Sequence, residues 1–254
     1  MTQAAAAIRL PPAYRLVALD AAGSTNDEAR TLARDGAADG TIVWARTQSA
    51  GRGRQGREWS SPPGNLYMSL VLRPDCPPRE AVQLAFVAAL GAGGMIGPHA
   101  RPAAPLRFKW PNDILLGARK VAGILLEAEG QGERLDFMIL GLGVNLVSHP
   151  ANARIPATDI REATGETLAP EAALEGFARH FMDWVTRWHE GGFAPVREAW
   201  IAHAAGLGER IEVRLPAETT HGTFAGLDGH GALLLDTAQG RRTIAAGDVH
   251  LAGT

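Results

Sequence analysis

A single cysteine, Cys76 in the proline-rich stretch DCPP, stands in 254 residues. One thiol cannot close an internal disulfide, so a reducing, cytoplasmic setting is expected. A passive loop thiol is the default reading of Cys76, and a reactive one the alternative. Neither sign of charge is in excess: 25 Lys and Arg against 27 Asp and Glu leave a formal −2. That balance argues against bulk affinity for nucleic acid or an anionic membrane surface. There is no apolar run of ~18 residues, so no membrane span is expected. The opening residues lack the charged and apolar regions of a signal peptide. Residues 1–13 are Ala-rich and are expected to form a short disordered tail. There is no G-x-x-x-x-G-K-S/T phosphate loop, no G-x-S-x-G nucleophile turn and no persuasive Cys/His pair. The eight histidines show no metal-ligand spacing. No internal repeat is visible.

What remains is apolar and glycine-rich. Hydrophobic residues make up 46% of the chain, enough for a sizeable core in one large domain or a large and a small one. YRLVAL (14–19) and GTIVWART (40–47) read as strands. Between them, Thr25 and Glu28 fit a capping box for a helix from about Asn26 to Gly36. LYMSLVLRP reads as another strand, and residues 79–97 as a buried helix. LRFKWPND, ILLGARKVAGILLEAE and RLDFMILGLGVNLV read as three to four strands. Residues 158–204 alternate helical patterns with breaks, and Trp184, Trp188 and Trp200 are expected to pack there. After Leu207 the texture changes to short strands, with GLDGHG and TAQGRR as hairpin turns. The expected division is a catalytic domain over 14–206 and a small β domain over 207–254, too small to hold a large core of its own.

The stretch AGRGRQGREW (50–59) contains G-x-G-x-x-G, the spacing of a dinucleotide fingerprint. That fingerprint must open a helix, whose N-terminus takes the pyrophosphate. Here Pro62, Pro63 and Gly64 follow, which forbids a regular helix. An arginine-rich nucleic-acid patch also fits poorly without a long basic tract. A solvated surface loop is the remaining plain reading.

Three other clusters bear on it. KWPNDILL (109–116) places Lys109, Asn112 and Asp113 at a Pro-directed turn after an apolar strand. RKVAGILLEAE (119–129) places Lys120 against apolar residues, where an unpaired ammonium is costly. A lysine snorkelling at a strand start is the alternative. GLGVNL (141–146) puts Gly141, Gly143 and Asn145 on one face by the period of two, leaving room for a flat group. Close sheet packing with a turn Asn is its plain alternative. Each plain reading holds singly. Together the clusters make one site with Arg52, Arg54, Lys109 and Lys120 as cations and Asp113 as a carboxylate suited to Mg²⁺. Arginine forks and glycine amides suit a polyphosphate.

GSTNDEA, TQSAGRGRQGREWSSPPGNLYMSL, KWPNDILL, KVAGILLE and GLGVNL occur in order. With them the chain resembles the biotin protein ligases over roughly residues 14–250. The resemblance implies an α/β (α+β type) fold. It comprises a central mixed sheet with flanking helices, a class II synthetase-like biotin/lipoate ligase catalytic domain, and a small C-terminal SH3-like β-barrel. Larger bacterial members carry an N-terminal helix-turn-helix. Only residues 1–13 precede the first expected strand, so DNA-linked regulation is not expected.

The resemblance further implies that biotin is activated with ATP and Mg²⁺ to biotinyl-5′-AMP and passed to a lysine of a biotin carboxyl carrier protein. Ser24, Thr25, Asn26 and Gln48 would pair with biotin's ureido ring, although STN also fits a plain helix cap. The loop with Gly51, Arg52, Gly53, Arg54 and Arg57 would close over the adenylate, Arg52 and Arg54 meeting the carboxylate and α-phosphate and Arg57 the outer phosphates. Lys120 would bridge carboxylate and α-phosphate, so Lys120, Arg54 and Arg52 are the catalytic candidates. Trp59 would wall the biotin chain or serve the core. Gly123, Gly141 and Gly143 would line the biotin cleft, and Asn145 would contact adenine. Lys109, Asn112 and Asp113 would hold phosphates, with Asp113 on the metal. Monomer and homodimer both stay open. A lipoate or octanoate ligase, a non-catalytic biotin or nucleotide sensor, and a nucleic-acid binder are the competing readings. The polar Ser24–Asn26 and Gln48 set disfavours the first, intact Lys120 and Asp113 the second, and the charge balance the third.

Overall fold

The computed structural model describes residues 8–132, 134–151 and 155–251. Of the expected tail, 1–7 lie outside the described residues. The chain begins with β1 (Arg15–Leu19), α1 (Thr25–Arg34) and β2 (Thr41–Ala45), a β-α-β unit in which β1 and β2 run parallel. β3 (Leu66–Leu72), β4 (Leu106–Lys109), β5 (Asp113–Leu116), β6 (Arg119–Gln131) and β7 (Arg134–Val144) complete a seven-stranded mixed sheet in the order β1-β2-β3-β7-β6-β5-β4. All pairings except β1 with β2 are antiparallel.

β2 and β3 are buried at every position, which is why they read as unbroken apolar runs rather than alternating ones. Alternate residues serve two cores. Ile42, Trp44, Met68, Leu70, Leu140 and Leu142 belong to the main core, while Val43, Val71, Phe137 and Ile139 pack with Ala29 and Ala33 of α1. Each such side chain, fully buried, contributes about 1.5–3 kcal/mol.

The main core is closed by α2 (Pro78–Ala81), α3 (Leu84–Ile96), α4 (Ile160–Thr164), α5 (Pro170–Gly191) and α6 (Phe193–Ile201). The stretch Pro78–His99 is long and apolar enough to cross a membrane, but most of it is buried inside the protein. Its all-round hydrophobicity is that of a core helix. Gly91 lets α5 approach closely: a Cβ there would lie 3.0 Å from the Phe181 backbone. Trp200 and Trp188 are buried as expected, and Trp184 is partly buried against the same core.

The remaining strands are β8 (Arg210–Arg214), β9 (Thr219–Leu227), β10 (Leu233–Thr237), β11 (Gly240–Ile244) and β12 (Asp248–Leu251). They form an antiparallel sheet in the order β11-β10-β9-β8-β12. Among the described residues no pairing joins β11 to β12, so the sheet is open at that seam rather than a closed barrel. Its apolar side chains, Phe224, Leu227 and Leu233 among them, merge with the main core. Trp110 Nε1 donates to Gly231 O at 3.1 Å and ties the β9–β10 turn to the KWPND segment.

The capping box is corrected. α1 begins one residue earlier, with Ser24 at the N-cap and no side-chain cap bond. The Thr25 hydroxyl turns instead to Gln48 Oε1 and Ser69 Oγ, because a tertiary polar network competes for it.

Candidate active site

A cavity of about 570 Å³ opens on the α1 face of the large sheet. Its floor follows from strand register. Ser69 on β3 pairs with Gly141 on β7, Gly143 with Gly123 on β6, and Gly123 with Asp113 on β5. Small residues on this face leave the space that Phe137 and Ile139 fill one turn of the pleat earlier. Every residue expected at the site lines the cavity except Gly51. Gly51 packs under the loop instead, where a Cβ would lie 2.5 Å from Trp59 O and 2.7 Å from Ser61 Oγ.

One end of the floor is neutral and polar. Ser24, Thr25 and Asn26 are buried at the start of α1. Gln48 Oε1 accepts from the Thr25 amide at 2.8 Å, and Gln48 Nε2 donates to Ser61 Oγ at 2.9 Å. Asn26 Nδ2 donates to Glu127 at 2.6 Å. The Asn26 side chain covers Gly141, 2.3 Å from where a Cβ would stand.

The other end is cationic. Lys120 Nζ lies 2.5 Å from Asp113 Oδ1, and Lys109 Nζ lies 4.0 Å from Asp113 Oδ2. Lys109 is only 5% exposed, and that burial pulls its pKa below the usual lysine value against the nearby charge of Asp113. Asn112 Nδ2 donates to Ile124 O at 2.6 Å, leaving Oδ1 to accept from Arg54 at 3.2 Å. Asn145 donates to Thr158 O at 3.0 Å and braces the far wall.

The glycine-rich segment folds over both ends. Gly53 precedes and Gly56 ends a short 3-10 turn in which Gln55 takes φ 57°, a conformation few side chains accept. Trp59 roofs the middle. Its ring lies over Gly143 and Gly123, with Lys120 Nζ 5.2 Å from the ring centroid. Its Nε1 is buried with no hydrogen-bond partner among the described residues.

The arginines are held by carboxylates that sequence reading did not single out. Arg52 reaches Asp27 at 2.5 and 2.7 Å and Glu127 at 3.7 Å. The hydrogen bond from Arg52 holds the Asp27 carboxyl below its ordinary range. Arg54 and Arg57 both reach Asp248 of β12, the former at 4.0 Å. Burial lowers the pKa of Arg54, and Asp248 and Asp113 oppose that. Asp248 lies far along the chain and carries no local signal. Asp27 stands inside the motif GSTNDEA, and that position is the signal that could have found it.

The structure also brings together His149, Asp159 and Glu162, which no sequence spacing announced. His149 Nδ1 is 2.8 Å from Asp159 Oδ2, and Asp159 Oδ1 accepts the Glu162 amide as the cap of α4. These groups satisfy one another and fasten the wall that carries Ala157. Cys76 is half-buried, and burial raises its pKa, with Glu80 and Asp75 adding to the shift.

The Biotin/lipoate A/B protein ligase family matches residues 23–145, and the Biotin protein ligase C terminal domain matches 206–251. A biotin–(acetyl-CoA-carboxylase) ligase of Paracoccus denitrificans is 44% identical over 235 residues, 91% of this chain and 98% of that protein. The chain belongs to the biotin protein ligase family. The bifunctional ligase/repressor BirA of Bacillus subtilis is 34% identical over 93% of this chain and 74% of its own length. The biotin protein ligase of Aquifex aeolicus, solved in complex with biotin and ATP, superposes with a TM-score of 0.80 at 27% identity, covering 93% of this chain and 97% of that one. That of Leishmania major, solved with biotinyl-5-AMP, gives 0.66 at 27% identity, with 93% and 100% covered.

Proposed function

We propose that this ligase activates biotin with ATP and transfers it to a lysine of a biotin carboxyl carrier protein. The observation that carries the reading is the polarity of one cavity: neutral acceptors at one end, a glycine floor under an indole, and clustered cations at the other. Biotin has the same order, with a ureido ring, an aliphatic chain and a carboxylate.

Thr25 and Gln48 would read the ring. The chain would run over Gly143 and Gly123 beneath Trp59, with the indole N–H offering a donor to a ligand oxygen. The carboxylate would meet Lys120. Two anions must then approach, because the carboxylate oxygen attacks the α-phosphorus while the bond to the leaving pyrophosphate breaks. Lys120, Lys109 and Arg54 offset that repulsion and stabilise charge in the transition state.

Mg²⁺ fits as a metal that enters with the triphosphate. Asp113 and Asp248 are carboxylates at this end, and both already face cations, so the protein would supply few ligands and the phosphates the rest. When bound it would neutralise phosphate charge. Arg52 and Arg54, now on carboxylates, would exchange those partners for ligand oxygens, with Arg57 facing the outer phosphates and Asn145 the adenine. Closure of the loop would keep water from the mixed anhydride. The acceptor lysine's amine attacks the acyl carbon, AMP leaves, and an amide forms. No enzyme nucleophile is needed, in keeping with a sequence that has no G-x-S-x-G turn and no persuasive Cys/His pair.

Exchange of labelled pyrophosphate into ATP, dependent on biotin and not on lipoate, tests this. Exchange with lipoate alone would transfer the reading to lipoate ligation, and no exchange with either would remove it.

A further inference from the structure

Between β7 and α4 the chain runs from Asn145 to Ile160 and passes Lys120 on the way. Lys120 N donates to Pro156 O at 2.8 Å, and Thr158 N donates to Lys120 O at 2.9 Å. The two ends of the segment meet where the Ile160 amide donates to Asn145 O at 3.1 Å. Pro150, Ile155 and Ala157 make one side of it a wall of the cavity. His149 stands near the first end, with its side chain 20% exposed, and its two ring nitrogens face two different carboxylates. Nδ1 lies 2.8 Å from Asp159 Oδ2, and Nε2 lies 3.3 Å from Glu162 Oε2. Both carboxylates belong to the second end, at the cap and first turn of α4.

The other charges near the ring are already engaged. Glu162 pairs with Arg119 of β6, Asp159 Oδ1 takes the Glu162 amide, and Arg161 donates to Val147 O. Asp159 and Glu162 therefore face the imidazole directly, with Arg119 and Arg161 behind them. An ionised carboxylate only accepts hydrogen bonds. A neutral imidazole has one N–H and one lone pair, so it satisfies one of the two contacts and sets its lone pair against the other oxygen. The imidazolium has two N–H groups and satisfies both. A single metal ion is a poorer fit, because it cannot bond both nitrogens of one ring and each carboxylate stands at its own nitrogen.

Resting on the ligase reading above, we infer that His149 is a positioning residue: as an imidazolium it clasps the two ends of the 145–160 segment and holds the wall beside Lys120 and Asn145 in place for the nucleotide. Loss of its proton undoes one contact of the clasp. Histidine is the side chain that changes charge between about pH 5 and 8, so nucleotide binding is coupled to pH in that window and weakens as pH rises.

The test is the KM for ATP in biotin-dependent pyrophosphate exchange by the full chain, at about pH 6 and about pH 8.5, on either side of the histidine range. Each variant is compared with wild type at the same pH, so that titration of ATP itself cancels. At the lower pH, His149→Ala should raise the KM for ATP ~3–10-fold, the scale of a charge-assisted hydrogen bond at a partly exposed site, and leave the KM for biotin unchanged. At the higher pH the difference should shrink to within about twofold, because wild type has lost the same contact. Glu162→Gln is the converse case. Its amide can accept from Arg119 and donate to the neutral ring, so it should match wild type at the lower pH and show a KM for ATP ~3–10-fold below wild type at the higher one. It carries the test if His149→Ala does not fold. A His149→Ala effect of the same size at both pH values, equal rises in both KM values, or a Glu162→Gln protein no better than wild type at the higher pH overturns the proposal. Absence of biotin-dependent exchange by wild type overturns the ligase reading separately. The melting gap between wild type and His149→Ala then decides the clasp: it should narrow as pH rises through the histidine range, and a constant gap overturns it.

Discussion

Gly143→Ala tests the roof of the cavity. The added Cβ would stand 2.5, 2.6 and 2.7 Å from Cε2, Nε1 and Cζ2 of Trp59. Carbon contacts are comfortable at about 3.5–4.0 Å, so the indole must withdraw by ~1 Å. It is a rigid ring, and a Cβ at Gly123 would already be 3.0 Å from its Cζ3, so it lifts as a unit and takes the 50–59 segment with it. Overpacking of this kind costs about 1–3 kcal/mol, and alanine returns ~0.5–1 kcal/mol over glycine within a strand. The expected net is a loss of about 0.5–2 kcal/mol. The effect on rate should be larger, because a ~1 Å displacement at a reacting site can cost ~10²-fold. Melting followed by circular dichroism gives the first number, and pyrophosphate exchange gives the second as kcat and KM for biotin. Gly229→Ala is the matched control: nothing lies within 4 Å of its Cβ, and it should leave both unchanged. A Gly143→Ala protein with wild-type melting and exchange within twofold would show that Trp59 does not sit on the sheet as described.

Lys120→Ala removes the ammonium closest to Asp113 and should slow adenylation by ~10²–10³-fold, the scale of one donor aimed at developing charge. Near-wild-type exchange would remove Lys120 from the chemistry. Asp27→Asn should lower the melting temperature near neutral pH, with a gap to wild type that closes on acidification. The sign follows from linkage: the folded pKa of Asp27 lies below the ordinary aspartate range, so its stabilisation is complete above that range and lost as pH falls through the folded value. A gap that widens in acid would refute the clasp on Arg52. Trp110→Phe leaves Gly231 O without its donor and should cost about 1–2 kcal/mol in urea unfolding, without changing the specificity for biotin over lipoate.

Local chemistry carried much of this protein. The apolar runs of β2 and β3, the breaks at Pro62–Gly64 and the turns GLDGHG and TAQGRR are written in period and in residue type, so strands and hairpins were readable from neighbours alone. So was the gathering of Arg52, Arg54, Lys109, Lys120 and Asp113, because unpaired charge beside apolar sequence needs an explanation wherever it lies. What each group touches was a different matter. Thr25 reads as half of a capping box, and only the approach of Gln48 and Ser69, from two other segments, turns its hydroxyl elsewhere. The floor glycines read as room for a ligand, yet register places Asn26 and Trp59 of the protein itself over Gly141 and Gly143. Asp248 acquires a role solely because the second sheet docks beside the loop. Sequence determined which groups are present and which local shapes they allow. The partner of each hydrogen bond and charge was decided by tertiary packing, because those energies depend on distances of a few ångströms between segments that the chain order keeps far apart.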